Sequence, residues 1–79
     1  MRRYSVVLTP EPDGSAYNVT VPLLPGCVTC GATVEEALEQ ARDLIPLWIA
    51  EMVESGEQIP VEVLPPQLAV VEIEEGAVV

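Results

Sequence analysis

The chain has 79 residues, 49% of them apolar, yet no Phe and one Trp, so its core must be assembled from Val, Leu, Ile and Ala. Its 13 acidic residues face only Arg2, Arg3 and Arg42, a net charge of −10 that repels phosphate backbones and anionic lipid surfaces, so direct nucleic-acid or membrane binding is not expected. His is absent, which removes the commonest acid–base group near neutral pH and the commonest transition-metal ligand.

A chain of this length buries only about 60–65% of its unfolded surface. We therefore expect one small domain over residues 1–79, frayed at 76–79, that gains stability as a homodimer or higher homo-oligomer. Met1-Arg-Arg-Tyr4 leads straight into a strand rather than a signal peptide, and no apolar run reaches the roughly 18 residues of a membrane span. The expectation is a cytoplasmic protein.

Tyr4–Thr9 is rich in β-branched residues, and Ala16–Val21 alternates Tyr17, Val19 and Val21 against Asn18 and Thr20. Asp13-Gly14 between them suits a turn needing positive φ, so the pair reads as a β-hairpin with one buried face. Pro22 and Pro25 stop the second strand because neither can donate to a ladder. Gly26 then permits a reversal into a short third strand, Cys27–Cys30.

Thr33 reads as a helix N-cap, with Glu36 three residues on to complete a capping box and Glu35 and Glu36 facing the positive end of the dipole. Val34, Ala37, Leu38, Ala41, Leu44, Ile45, Trp48 and Met52 follow helical spacing. Pro46 removes the bond to the Arg42 carbonyl, at a typical cost of about 3 kcal/mol. The apolar phase runs through it unshifted, which predicts one kinked helix ending at Gly56 as a left-handed cap. Leu68–Glu74 reads as a fourth strand, able to pair with the sheet or with another chain. The predicted fold is α+β: a small antiparallel sheet in β-β-β-α-β order with one long helix packed on one face.

Few residues offer chemistry. Cys27 and Cys30 have C-x-x-C spacing, but on a strand they point to opposite faces, and a tetrahedral zinc would need two further ligands. A thioredoxin-type pair would open the helix, whereas Thr33 is the cap. The carboxylates lie on the helix surface and the C-terminal segment rather than converging from strands, so no catalytic residue, metal ligand or cofactor-binding residue is expected and the chain does not read as an enzyme. The candidates are binding residues instead. Glu35, Glu39, Asp43, Leu47 and Glu51 form a face suited to a basic protein partner, and Leu68, Val70, Val71 and Ile73 are candidates for a subunit interface. Trp48 falls in phase with the core stripe, with an indole N–H that also suits an interface anchor.

Pro22-x-Leu24-Pro25-Gly26-Cys27, Thr29-x-Gly31-x-Thr33-x-Glu35-Glu36-Ala37 and Gly56-Glu57-x-Ile59-Pro60, with Tyr4, Asp13-Gly14 and Tyr17 before them, resemble the antitoxins of the HicB family over roughly residues 4–60. The resemblance implies a cut-down ribonuclease H arrangement without its catalytic carboxylates. It also implies dimerisation through the sheets and a partner, a small basic toxin ribonuclease of the HicA type, that the domain binds and blocks. Many members carry a C-terminal DNA-binding segment, which this sequence does not show. Leu23 and Ala32 stand where acidic residues are common in the family. The alternative reading is an orphan homo-oligomeric structural or regulatory protein with no toxin.

Overall fold

In a computed structural model, which describes residues 2–77, three strands and one long helix form the ordered body. Strands β1 (Val7–Pro10), β2 (Tyr17–Thr20) and β3 (Val28–Gly31) make an antiparallel sheet in the order β1-β2-β3, and helix α1 (Val34–Glu54) packs across one face. The α+β expectation therefore stands in its coarse form.

The hairpin turn closes where Gly14 adopts φ +74°, with the Gly14 N–H donating to the Glu11 carbonyl at 2.9 Å. The Asp13 carboxylate accepts from the Ser15 N–H at 2.9 Å, a local bond that turns of this kind favour. In the resulting register Val7 faces Thr20 and Leu8 faces Val19. Strand alternation then sends Val19 and Val21 into the core and leaves Asn18 and Thr20 exposed, as the pattern predicts. The first strand begins at Val7 rather than Tyr4. Continuing the register would set Ser5 opposite Pro22, which has no N–H to give, so the ladder ends.

Two adjoining clusters make the core. Val19 packs with Ala37 and Ala41, joined by Val6, Leu8, Tyr17 and Ile45. Val21, Leu24 and Cys27 form the second, covered by Tyr4, Leu44, Trp48 and Met52. Leu24 reaches the interior from a loop. The segment after β2 folds as two successive turns, Leu24 N–H to the Val21 carbonyl at 2.9 Å and Cys27 N–H to the Leu24 carbonyl at 3.0 Å. Gly26 at φ +90° completes the reversal beneath the Trp48 ring. Removing three side chains such as Val21, Leu24 and Cys27 from water contributes roughly 1.5–3 kcal/mol for each large aliphatic one.

Helix α1 starts on its predicted cap, with the Thr33 hydroxyl accepting from the Glu36 N–H at 3.1 Å. It continues through Pro46 to Glu54 as one helix. It ends in a Schellman arrangement: Gly56, at φ +75°, donates to the Val53 carbonyl at 3.1 Å, and Glu57 donates to Met52 at 2.9 Å. Its buried face is narrow because the small side chains Ala37 and Ala41 let it sit close to the sheet. At Gly31 the approach leaves no space at all: a Cβ there would lie 2.7 Å from the Ala37 Cα.

The expected fourth strand is absent from the described residues. Leu68–Glu74 has no ladder partner and residues 63–76 are exposed throughout. Pro60, Pro65 and Pro66 interrupt the return path, and a strand needs a neighbour to bond, which the lone chain does not place beside Leu68–Glu74. The radius of gyration, 15.6 Å, exceeds the about 12 Å of a close-packed chain of this length, and the longest dimension is 50 Å. Of the end expected to fray, Gly76 falls in a short 3-10 turn, Glu75–Ala77, while Val78 and Val79 lie outside the described residues.

Candidate partner-binding site

Three surfaces are built by these elements. The first is the helix face turned away from the sheet. Glu35, Glu39, Asp43, Leu47 and Glu51 are all exposed, and their spacing of four residues winds them about 160° around the helix over about 24 Å, from the face away from the sheet to the margin of a cleft at Glu51. No basic residue occupies the last helical turn, so Glu51 and Glu54 sit uncompensated at the negative end of the dipole. The stripe is therefore a strongly negative surface with Leu47 as its apolar member. Val34, expected in the core stripe, is exposed because it lies in the first turn beyond the end of the sheet.

The second is a cleft of about 500 Å³ between the 22–26 turns and the C-terminal half of α1. Leu24, Pro25, Trp48 and Met52 line its floor, with Glu51 and Glu57 among the polar lining. Trp48 is half-buried, one side of its ring on the core and the other toward this cleft. Its place on the core is the one its helical phase predicts, while the cleft itself is built by the 22–26 turns.

The third lies along β1. Ser5–Pro10 and Pro66–Leu68 form the two sides of a groove of about 610 Å³. The chain after the helix passes the residues that lead into β1, held there by the Tyr4 hydroxyl donating to the Pro60 carbonyl at 2.8 Å. Ser5 donates to Glu62 twice, from its N–H at 2.8 Å and its hydroxyl at 2.7 Å. These bonds, with Arg3 nearby, hold the Glu62 carboxyl below its usual range. The four interface candidates follow, Leu68 95%, Val70 90%, Val71 82% and Ile73 70% exposed.

The two cysteines part as expected, Cys27 buried and Cys30 exposed, both as free thiols. Burial pushes the Cys27 thiol up, which keeps it protonated and unreactive. Among the described residues no three His, Cys, Asp or Glu side chains gather as a metal would need, and no helix is long and apolar enough to cross a membrane.

Comparison with known sequences gives the family of the chain. Residues 4–75 match the family described as "HicB_like antitoxin of bacterial toxin-antitoxin system". The chain belongs to the HicB-like antitoxin family. A UPF0150 protein of Thermoplasma acidophilum is 41% identical over 58 residues, covering 73% of this chain and 83% of that protein. A UPF0150 protein of Archaeoglobus fulgidus is 36% identical over 64 residues, 78% of this chain and 91% of the relative. Antitoxin HicB of Escherichia coli K12 is 41% identical over 58 residues, and there the match spans 41% of the longer protein. The similarity to HicB-like antitoxins thus runs through the sheet, the 22–26 turns, the helix and most of the tail.

Proposed function

We propose that this HicB-like chain is a non-catalytic cytoplasmic antitoxin that binds and blocks a small basic toxin ribonuclease of the HicA type. The observation that carries the reading is the acidic stripe Glu35, Glu39, Asp43, Leu47 and Glu51 on a chain of an antitoxin family. Carboxylates left uncompensated at the negative end of a helix disfavour the free helix, and a cationic partner would relieve that repulsion. Long-range attraction would speed encounter, while Leu47 and the Trp48 cleft would slow release. The same charge disfavours direct contact with nucleic acid.

The test is recovery of tagged chain from its native lysate at low and high salt, followed by a ribonuclease assay on any small basic protein that accompanies it. Inhibition of that nuclease by stoichiometric chain, weakened by Glu39→Lys with Asp43→Lys, supports the reading. A nuclease unaffected by the chain, or association indifferent to salt, refutes it.

A second reading, a homo-oligomeric protein without a toxin, is favoured by the tail. Leu68, Val70, Val71 and Ile73 are apolar, successive and exposed, and a soluble chain rarely leaves such a run uncovered. The two readings are compatible, since an antitoxin can act as an assembly.

A further inference from the structure

The cleft between the 22–26 turns and the C-terminal half of α1 joins an aromatic ring, an apolar floor and two carboxylates. Trp48, Glu51, Met52 and Ser55 stand at positions i, i+3, i+4 and i+7, so one side of the helix presents all four to it. Glu57 joins them at the helix end, because its N–H donates to the Met52 carbonyl at 2.9 Å and fixes the chain just past the cap.

The charge of this cleft is unanswered within the chain. There is no Lys, and the three arginines lie elsewhere: Arg2 and Arg3 beside Val61 and Glu62, Arg42 in the crevice with Tyr4 and Leu38. No basic residue occupies the last turn of α1, so Glu51 and Glu57 add to the negative end of the helix dipole instead of cancelling it. A cation entering here meets both carboxylates, the dipole and the electron-rich face of an indole. An anion is repelled by all of them, and a purely apolar group uses only the floor.

We propose that the cleft seats an arginine side chain presented by a partner protein, its guanidinium stacked on Trp48 and bonded to Glu51 and Glu57, its stem on Met52 and Pro25. The inference deepens the antitoxin reading and rests on it for the kind of partner; it adds the residue type that docks and the place where it docks. A guanidinium suits the cleft better than an ammonium does. Its plane stacks on an aromatic ring, and its fixed fork of N–H groups serves two carboxylates at once. An ammonium is a compact, strongly hydrated charge, and on so open a surface a lone ion pair contributes little. The aliphatic stem covers apolar surface while the head stays at the wet margin.

Trp48 is the single Trp, so its indole N–H gives one resonance that reports on the cleft in the full chain. It also covers the core, so the variants leave it in place. The probes are blocked arginine, lysine and citrulline amides, the last an uncharged isostere of arginine, titrated at low salt. The arginine amide shifts the resonance saturably, the lysine amide binds about threefold more weakly, and the citrulline amide does not saturate. Glu51→Gln with Glu57→Gln weakens the arginine amide about fivefold or more. Glu72→Gln with Glu74→Gln, the same change of net charge on the exposed tail, leaves its binding as it was. Equal binding of arginine and citrulline amides, equal binding of arginine and lysine amides, or equal weakening by both pairs of substitutions overturns the inference. These titrations contain no toxin, so their failure leaves the antitoxin reading standing. Equal inhibition of a recovered toxin by the wild type and by Glu57→Lys, a change outside the acidic stripe, also overturns the inference alone. A chain that seats the arginine amide but blocks no nuclease refutes the antitoxin reading and keeps the cleft as an arginine site.

Discussion

Gly31→Ala is the sharpest probe of how helix and sheet meet. Gly31 has no positive φ, so the substitution carries no backbone strain and its whole effect is steric. The added Cβ would stand 2.7 Å from the Ala37 Cα and 2.9 Å from the Glu36 carbonyl carbon, whereas carbon atoms rest about 3.5–4 Å apart. The start of α1 must therefore retreat from β3 by about 1 Å. Overpacking typically costs about 1–3 kcal/mol, and obstruction by backbone places this case at the upper end, about 3 kcal/mol.

A chain of this size has a total stability of about 4–12 kcal/mol. The loss is a large share of it, and at about 1 kcal/mol per molar urea the unfolding midpoint should fall by about 3 M. Urea titration followed by Trp48 fluorescence and helical circular dichroism gives the value. The obstructing atoms belong to the Ala37 and Glu36 backbone, so Ala37→Gly should not rescue the variant and should cost about 1 kcal/mol more as a helix-interior glycine. A Gly31→Ala loss under about 1 kcal/mol, or rescue by Ala37→Gly, would refute the close docking of α1 on β3. Gly14→Ala offers the opposite case, open space but φ +74°, and should cost about 1 kcal/mol through its left-handed backbone alone.

Three further outcomes follow from local geometry. Thr33→Ala should destabilise by about 1 kcal/mol in the same titration, with Thr33→Ser restoring most of it, since the hydroxyl alone caps Glu36 N–H. One thiol per native chain, Cys30, should react quickly with a disulfide reagent and Cys27 only on unfolding; two fast thiols would mean that the Leu24 cluster opens readily. The Glu62 carboxyl is held below its ordinary value of 4.5 by hydrogen bonds from Ser5, chiefly its N–H, so its contribution is present above 4.5 and is lost as pH falls through the lower folded value. The Ser5 amide resonance should accordingly titrate with a midpoint under 4.5, and Glu62→Gln should abolish that step; a midpoint at or above 4.5 would contradict the Ser5–Glu62 contact.

Local signals in the sequence translated directly into structure where local physics decides the outcome. Thr33, Gly14, Gly26 and Gly56 stand at the cap and the three left-handed positions, because each need is met within a few residues. The exposure of Glu35, Glu39, Asp43, Leu47 and Glu51 was legible for the same reason, since helical spacing keeps them off the buried Ala37–Ala41 stripe. What local pattern could not supply was pairing. Leu68–Glu74 has the composition of a strand, yet a strand exists only beside a neighbour, and the identity of that neighbour is not written in the segment. Leu24 was missed because its burial depends on two consecutive turns between prolines, not on any period. The apolar character of Leu23-Leu24 inside a Pro–Pro–Gly loop was the available signal, since an exposed loop has little use for two leucines.

The arrangement also bears on whether assembly and toxin binding compete. The residues of α1 that approach β1 are Leu38, Ala41, Arg42 and Ile45, which with Tyr4 and Val6 line the crevice on that side of the helix. Glu35, Glu39 and Asp43 are exposed away from that crevice, while Glu51 borders the Trp48 cleft, which opens toward the 22–26 turns and the end of the helix. A second copy held through the exposed tail residues Leu68, Val70, Val71 and Ile73 would therefore leave Glu35, Glu39 and Asp43 uncovered. A homodimer of this kind would carry two acidic stripes on one particle, and bivalent capture of a toxin that is itself multimeric would then gain from effective concentration without any new contact. If the tail holds a dimer, surface-immobilised toxin should release a Val71→Asp monomer faster than the wild-type chain, with equal release in a format that permits only one contact at a time. Equal release in both formats would mean that the tail serves stability alone.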